Sequence, residues 1–399
     1  MCETIVTSYG RDFRYGGFSA AELSQLDLKP FAALTGGELV GPGDLLFLDT
    51  ETTGLSGGAG TVAFLIGVGY FCGDGGFLVK QYLMRDFDEE PAMLQNLALE
   101  LKARGALVTY NGKAFDMNLL ASRFIMNGAR LPASGCHLDL LHVARRVWRE
   151  CLENCRLVTL EESVLAERRE GDIPGSLIPQ VYFDYLENRE RDLLDRVLLH
   201  NRLDILAMAA VIKYISDLAA NAASAAPRAV GAVAAPESAS AAQAAFAMPR
   251  AVGGRRWGEL LGLAGLFESI GNVELAERCL GLCVERGGAS IVRRALARLA
   301  NLKKRENDYE TAIRCWRRLL TFSPVVGLYP YIELAKYFEH KARDPETAKE
   351  YADQAQALAN GPVFRDSAAK RELALRRGRL ARKIARKRGR GDDCEHVNR

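Results

Sequence analysis

The first half of the chain alternates short, dense apolar runs with amphipathic stretches. Runs at 44–50, 61–71 and 76–84 read as strands, and "CGDGG" supplies a turn between the last two. A helix is expected near 90–104, then a strand at "ALVTY" (106–110), a helix from about 115 to 126, and a short segment at 136–140. Helices follow near 141–150 and 157–168, with a long one from about 190 to 218. Three strands joined by turns, then helix and strand in alternation, predict an α/β mixed sheet flanked by helices.

Beyond residue 218 the pattern changes twice. Residues 219–248 are mostly alanine with serine, proline and glycine, too poor in large apolar groups to offset their ordering entropy, and read as a flexible linker. The rest is helical and repetitive. "GNVELAERCLGLC", "NDYETAIRCWRRLL" and "RDPETAKEYADQA" align on Ala276, Ala312 and Ala348, 36 residues apart each time. A period of that size predicts stacked helical hairpins. In the middle unit Ala300, Ala312, Trp316 and Pro324 occupy the small, small, large and helix-closing positions of a tetratricopeptide repeat, and residues 257–360 resemble that family. The expected division is therefore a catalytic or binding domain over 1–218 with its core at 40–218, the linker, all-α repeats over 249–369, and a tail over 370–399.

Charge is distributed along the same divisions. The net charge of +3 combines 21 basic and 30 acidic side chains in residues 1–218 with 12 basic and four acidic ones in 370–399. An acidic front joined to a basic tail points to a polyanionic partner. The tail segment 370–391 carries 11 basic residues and one acid, suited to phosphate contacts, and it has too few large apolar groups for membrane attachment. No apolar run approaches the roughly 18 residues of a membrane span, and the first residues lack the features of a signal peptide, so a soluble cytoplasmic protein is expected. Nine cysteines scattered over 399 residues read as reduced thiols.

The candidate chemistry begins at "LLFLDTETTGL", residues 45–55. Side chains two apart on a strand share a face, so Asp49 and Glu51 project together from the end of an apolar strand. Two neighbouring carboxylates that have lost hydration repel each other, and a divalent cation would compensate. Asp116 lies near the start of the next helix in "YNGKAFDMNLL". In "RVLLHNRLDIL", His200 lies one turn before Asp204 on the same face of the long helix.

With these motifs the chain resembles the DEDD family of ribonuclease H-like 3′-to-5′ exonucleases. "LDTETTGLSGGAGTVAFLIGVGYF", "LVTYNGKAFDMNLL", "HLDLLHVARRVW" and "GDIPGSLIPQVYFDYL" look like a bacterial predicted-exonuclease subfamily that pairs such a domain with a helical-repeat tail. The resemblance covers about residues 40–218 and implies a two-metal phosphodiesterase acting on DNA or RNA. Asp49, Glu51, Asp116 and Asp204 would hold two Mg²⁺ or Mn²⁺ ions, hard cations suited to carboxylate oxygens. His200 would orient or deprotonate the attacking water. The family places histidine five residues before its last aspartate and tyrosine four before, so His200 stands at the tyrosine offset. The repeats would recruit a protein partner or shape substrate access. A non-catalytic adaptor and a structure-selective endonuclease on the same metal centre are the rival readings.

Other groups read as structural. Asp139 lies between His137 and His142 with Cys136 adjacent, but successive strand residues face opposite ways and cannot share one zinc ion, so Asp139 is expected to act as a supporting acid. The string "GLSGGAGT" lacks the lysine of a phosphate-binding loop, and a strand-like run resumes at Thr61 where a hydrolase elbow would need a helix. Its glycines are expected to let a substrate backbone approach the metals.

Overall fold

The computed structural model describes residues 1–35, 41–54, 60–224, 256–361, 364 and 366–395. They fall into two compact units, one running from the N-terminus through the helix Arg256–Ser269 and one from Glu277 onward.

The first unit is built on a six-stranded sheet. Its strands are β1 (Glu3–Tyr9), β4 (Leu45–Thr52), β5 (Ala63–Phe71), β6 (Phe77–Leu83), β7 (Ala106–Thr109) and β8 (Cys136–Asp139), and a separate two-stranded hairpin pairs β2 (Arg14–Tyr15) with β3 (Phe18–Ser19). The order is β1-β6-β5-β4-β7-β8; β4, β5, β6 and β1 pair antiparallel, while β7 and β8 run parallel to β4. Around it lie α1 (Ala20–Leu23), α2 (Ala32–Thr35), α3 (Glu90–Ala103), α4 (Asp116–Met126), α5 (Leu140–Trp148), α6 (Leu157–Leu160), α7 (Ile178–Asn188), α8 (Asp192–Ser224) and α9 (Arg256–Ser269). This is the mixed sheet with flanking helices that the alternation of patterns predicts.

Besides the β2–β3 hairpin, α1 and α2, two longer elements lie outside the sequence reading. Strand β1 is an edge strand whose side chains alternate between half-buried and exposed, so no dense apolar run marks it. Helix α7 buries Ile178, Val181, Tyr182 and Tyr185, a regular helical stripe. A third difference matters for the site. The helix expected over 157–168 is one α turn, α6, followed by a π-helical turn over Glu161–Leu165 that ends at Ala166 with φ 53°. The long helix also continues to Ser224, six residues into the stretch read as linker.

Helix α8 lies directly on the sheet because β5 has no side chains beneath it at two points. A Cβ at Gly67 would fall 2.0 Å from the Asn201 Oδ1, and one at Gly69 would fall 2.3 Å from the Ile205 Cγ2. Helix α9 approaches α5 as closely, since a Cβ at Gly262 would lie 2.1 Å from the Val147 carbonyl oxygen. Buried Glu259 of α9 accepts hydrogen bonds from the Trp148 indole at 3.0 Å and the Tyr214 hydroxyl at 2.9 Å.

The second unit is a run of helices. Helix α10 (Val273–Arg286) leads into it, and α11 (Ala289–Arg305), α12 (Tyr309–Leu320), α13 (Tyr329–His340), α14 (Pro345–Ala359) and α15 (Ser367–Glu395) follow. The period of 36 reappears in the turns. Gly271, Asn307 and Arg343 all take positive φ, and the next residues, Asn272, Asp308 and Asp344, each accept a backbone N–H three residues on with a side-chain oxygen. Ala276, Ala312 and Ala348 are fully buried, as small residues at helix crossings should be.

Helix α15 contains most of the stretch read as a basic tail. It buries Leu373 and Leu380, and it surrounds the fully buried Glu339 carboxylate with Arg376 at 2.9 Å and with Arg379 and Lys383 at 2.8 Å. Burial alone would raise the Glu339 pKa, but the Arg379 and Lys383 hydrogen bonds outweigh it and hold the group at about 2. A depressed carboxylate stabilises the fold above its unfolded pKa and loses that contribution as pH falls toward the folded one. Glu339→Gln should therefore cost about 3 kcal/mol at pH 7, the low end for removing one partner of a buried ion pair, because Arg379 and Lys383 are partly exposed. Its deficit against the unaltered chain should shrink from about pH 4.5 downward in urea unfolding. A deficit independent of pH would refute the electrostatic origin.

Candidate active site

The site is assembled at the end of β4 and is organised across three strands. Asp49 pairs in register with Gly67, and Gly67 with Gln81. Because Gly67 leaves space, Asn201 of α8 reaches down to the sheet and donates to the Asp49 carboxylate at 2.8 Å and to its backbone carbonyl at 3.2 Å. Gln81, buried on β6, fixes that amide by donating to the Asn201 Oδ1 at 2.9 Å and to the Leu198 carbonyl at 2.7 Å. The strand is irregular between Glu51 and Thr52, at the point where the carboxylates emerge.

Asp116 is the first residue of α4, and the Thr50 hydroxyl donates to its carboxylate. The turn ahead of it is held by Asp139, which accepts the backbone N–H groups of Asn111 at 2.8 Å and Lys113 at 3.0 Å, and that of Leu141 at 3.0 Å. Asn111 sits there at φ 69°, a conformation asparagine tolerates. Asp139 therefore serves as a buried structural acid. His137 makes a separate contact, 2.8 Å from the Thr109 hydroxyl, with burial first and the Lys113 charge second lowering its pKa to about 4.

On α8, His200 and Asp204 are one turn apart, with the His200 Nε2 3.8 Å from Asp204 Oδ2. The His200 Nδ1 lies 2.7 Å from Asp172 Oδ1. Burial opposes charging of the ring, but the Asp172 hydrogen bond and the Asp204 and Asp172 charges outweigh it and raise its pKa. Asp172 is held low for the complementary reason, its burial being outweighed by the His200 hydrogen bond.

Each predicted acid on the sheet side is pushed toward protonation. Asp49 is raised by burial and then by the charges of Asp204 and Asp116, and Glu51 by burial and then by Asp49, Asp204 and Asp116. Asp116 is raised by burial, with the Asp139 and Asp204 charges adding and the Thr50 hydrogen bond opposing. Asp49, Glu51 and Asp116, from β4 and α4, thus each feel the charge of Asp204 on α8 besides their own burial. Such a set of hard oxygen donors fits a divalent cation. Among the described residues, however, no group of three or more His, Cys, Asp or Glu side chains already stands as a metal site.

Residues that the sequence reading did not single out also face these acids. Arg169, only 5% exposed, is ion-paired with Asp204 and with buried Glu161, and it lies 3.3 Å from Asp172. Glu161 also accepts from the Tyr15 hydroxyl. The π turn and the left-handed Ala166 set Glu161 against Arg169 eight residues on. Charge density in "EESVLAERREGD" was the visible signal, but it marks a solvated helix face equally well. Within the glycine loop, positions 55–59 lie outside the described residues. No disulfide joins the eight cysteines whose side chains are described, and no described helix is long and apolar enough to cross a membrane.

Two comparisons bear on the site. A family model for the RNase_H superfamily matches residues 46–216, a span that contains all four acids and His200. The chain is also similar to the uncharacterized protein YprB of Bacillus subtilis (strain 168), at 33% identity over 347 residues, covering 86% of this chain and 75% of that protein.

Proposed function

Because this chain belongs to the RNase H superfamily, we propose that it is a nucleic-acid hydrolase of the DEDD type, a 3′-to-5′ exonuclease dependent on divalent cations. The observation that carries this reading is the convergence of β4, α4 and α8, with Thr50 bonded to Asp116 and Asn201 bonded to Asp49, on acids that burial first and neighbouring charges second push toward protonation. These four residues would hold two Mg²⁺ or Mn²⁺ ions. Bound there, the ions would supply positive charge to the scissile phosphate and acidify the attacking water.

The chain's own groups have distinct parts in the reaction. Asn201 and Gln81 lock the Asp49 rotamer, and Thr50 and Asp139 do the same for the Asp116 turn. Asp172 engages the His200 Nδ1, which assigns the ring proton to that nitrogen and leaves Nε2 on the Asp204 side to take a proton from water. A histidine at the tyrosine offset thus still faces the acids. The helical repeats would recruit a protein partner or shape access, and exposed Arg371, Arg382 and Arg386 on α15 offer phosphate contacts beyond the cations committed to Glu339.

End-labelled linear and circular single strands of DNA and RNA, incubated with Mn²⁺ beside an Asp49→Ala control, test the proposal. Release of labelled mononucleotides from linear 3′ ends alone is expected. Cleaved circles would make it an endonuclease, and no cleavage would make it an adaptor. His200→Ala should lower kcat by about 10²-fold or more and remove the acidic limb of the pH–rate profile, as loss of a general base does. Near-normal turnover across pH would remove His200 from the chemistry.

A further inference from the structure

Arg169 is a permanently charged group, 5% exposed, in contact with three acids, of which only Asp204 belongs to the proposed ligand set. Its other face is fixed by Glu161, fully buried, which is itself held by Tyr15. A cavity of about 330 Å³, lined among others by Glu161, Glu162, Glu167 and Arg168, borders the guanidinium. The guanidinium is therefore anchored on one side, engaged with a candidate ligand on the other, and next to open space lined by more acids.

We propose that Arg169 is the built-in counter-ion of the site: it holds Asp204 while no divalent cation is bound and competes with the cation for that carboxylate. Glu161, by drawing the guanidinium the other way, sets the strength of the competition. The inference rests on reading Asp204 as a cation ligand. Its physical basis is that Asp204 cannot give its full charge to a metal ion and to Arg169 together. Part of the metal's binding free energy is spent in loosening an ion pair shielded from water. Arg169 is thus a positioning residue, acting on the reaction through Asp204 and lying 3.5 Å from the His200 Nδ1.

Mn²⁺ titration of the chelator-stripped full chain, with free Mn²⁺ read by electron paramagnetic resonance, tests this without any turnover. Arg169→Gln should tighten the weaker Mn²⁺ site by about tenfold, the order expected when one partly screened competing charge is removed. Arg169→Lys, which keeps the charge, should stay within about threefold of the unaltered chain. Glu161→Gln should shift affinity the opposite way, since Arg169 then has Asp204 as its principal partner. A merely structural Arg169 would lower the melting temperature when replaced and would tighten nothing.

Circular dichroism establishes that each variant is folded, and Glu161→Gln carries the test if Arg169→Gln is not. Mn²⁺ binding that Arg169→Gln leaves unchanged or weakens, or that Glu161→Gln tightens, overturns this inference alone. An unaltered chain that binds Mn²⁺ no better than Asp49→Ala overturns the metal-site reading and this inference with it.

Discussion

Asp49→Asn should abolish phosphodiester cleavage and, in the absence of metal, make the chain more stable. On the proposed metal reading, loss of one cation ligand would remove several kcal/mol of transition-state charge stabilisation, a drop of about 10³-fold or more in turnover. The stability gain follows from the sign of the pKa shift. Burial and then the Asp204 and Asp116 charges hold the Asp49 pKa well above its ordinary 3.8. The folded chain therefore binds a proton that the unfolded chain releases, so this group's contribution is most favourable below about pH 4 and worsens as pH rises above it. A neutral amide escapes that penalty and can still accept the hydrogen bond that Asn201 donates at 2.8 Å.

In EDTA at pH 7 the variant should melt about 3–6 °C above the unaltered chain, the shift that 1–2 kcal/mol produces in a domain of this size. The gap should close as pH falls toward 4 and narrow when Mn²⁺ is added. Differential scanning calorimetry in both buffers gives the comparison. A variant that melts lower in EDTA at pH 7 would mean that Asp49 stabilises the fold, and the frustrated-charge account of the site would fail.

Gly67→Val should be strongly damaging, although it touches none of the acids. The first added carbon would fall 2.0 Å from the Asn201 Oδ1 and 2.7 Å from the Ile205 Cδ1, with the Asn201 Cγ at 2.8 Å. Asn201 is buried and bonded to both Gln81 and Asp49, so it cannot move without breaking the row that orients the Asp49 carboxylate. Helix α8 would have to lift, at a cost of about 3 kcal/mol or more. Loss of cooperative melting, or a large fall in the midpoint with loss of activity, is expected. Gly10→Ala is the matched control, since nothing lies within 4 Å of its added carbon, and it should stay within about 0.5 kcal/mol of the unaltered chain. Equal stability of Gly67→Val and the control would show that α8 is not seated on β5 as described.

The sheet strands from β4 to β8 and helices α3, α4, α5 and α8 were legible within a few residues, because each buries a face and burial imposes a period of two or 3.6 on the apolar positions. The 36-residue repeat was legible for a similar reason, and the structure shows where it acts, at Gly271, Asn307 and Arg343 and the capping residues after them. Edge strand β1 was lost because an exposed edge imposes a weaker pattern. Helix α7 was within reach, since its stripe at 178, 181, 182 and 185 is regular.

The residues around the acids divide along a different line. Asp49 and Glu51 share a face because strands have period two, and His200 and Asp204 share one because helices turn every 3.6 residues. Those facts are local, and the order of amino acids fixes them without any knowledge of what lies opposite. That Asn201 reaches Asp49 through the gap above Gly67, or that Arg169 spans Glu161 and Asp204, depends on contacts between segments 35 to 152 residues apart. Such contacts arise from how helices cross the sheet and from which position lacks a side chain at the crossing. The candidate ligands could thus be named from spacing, but the Arg169 charge paired with Asp204 came into view only with the chain folded.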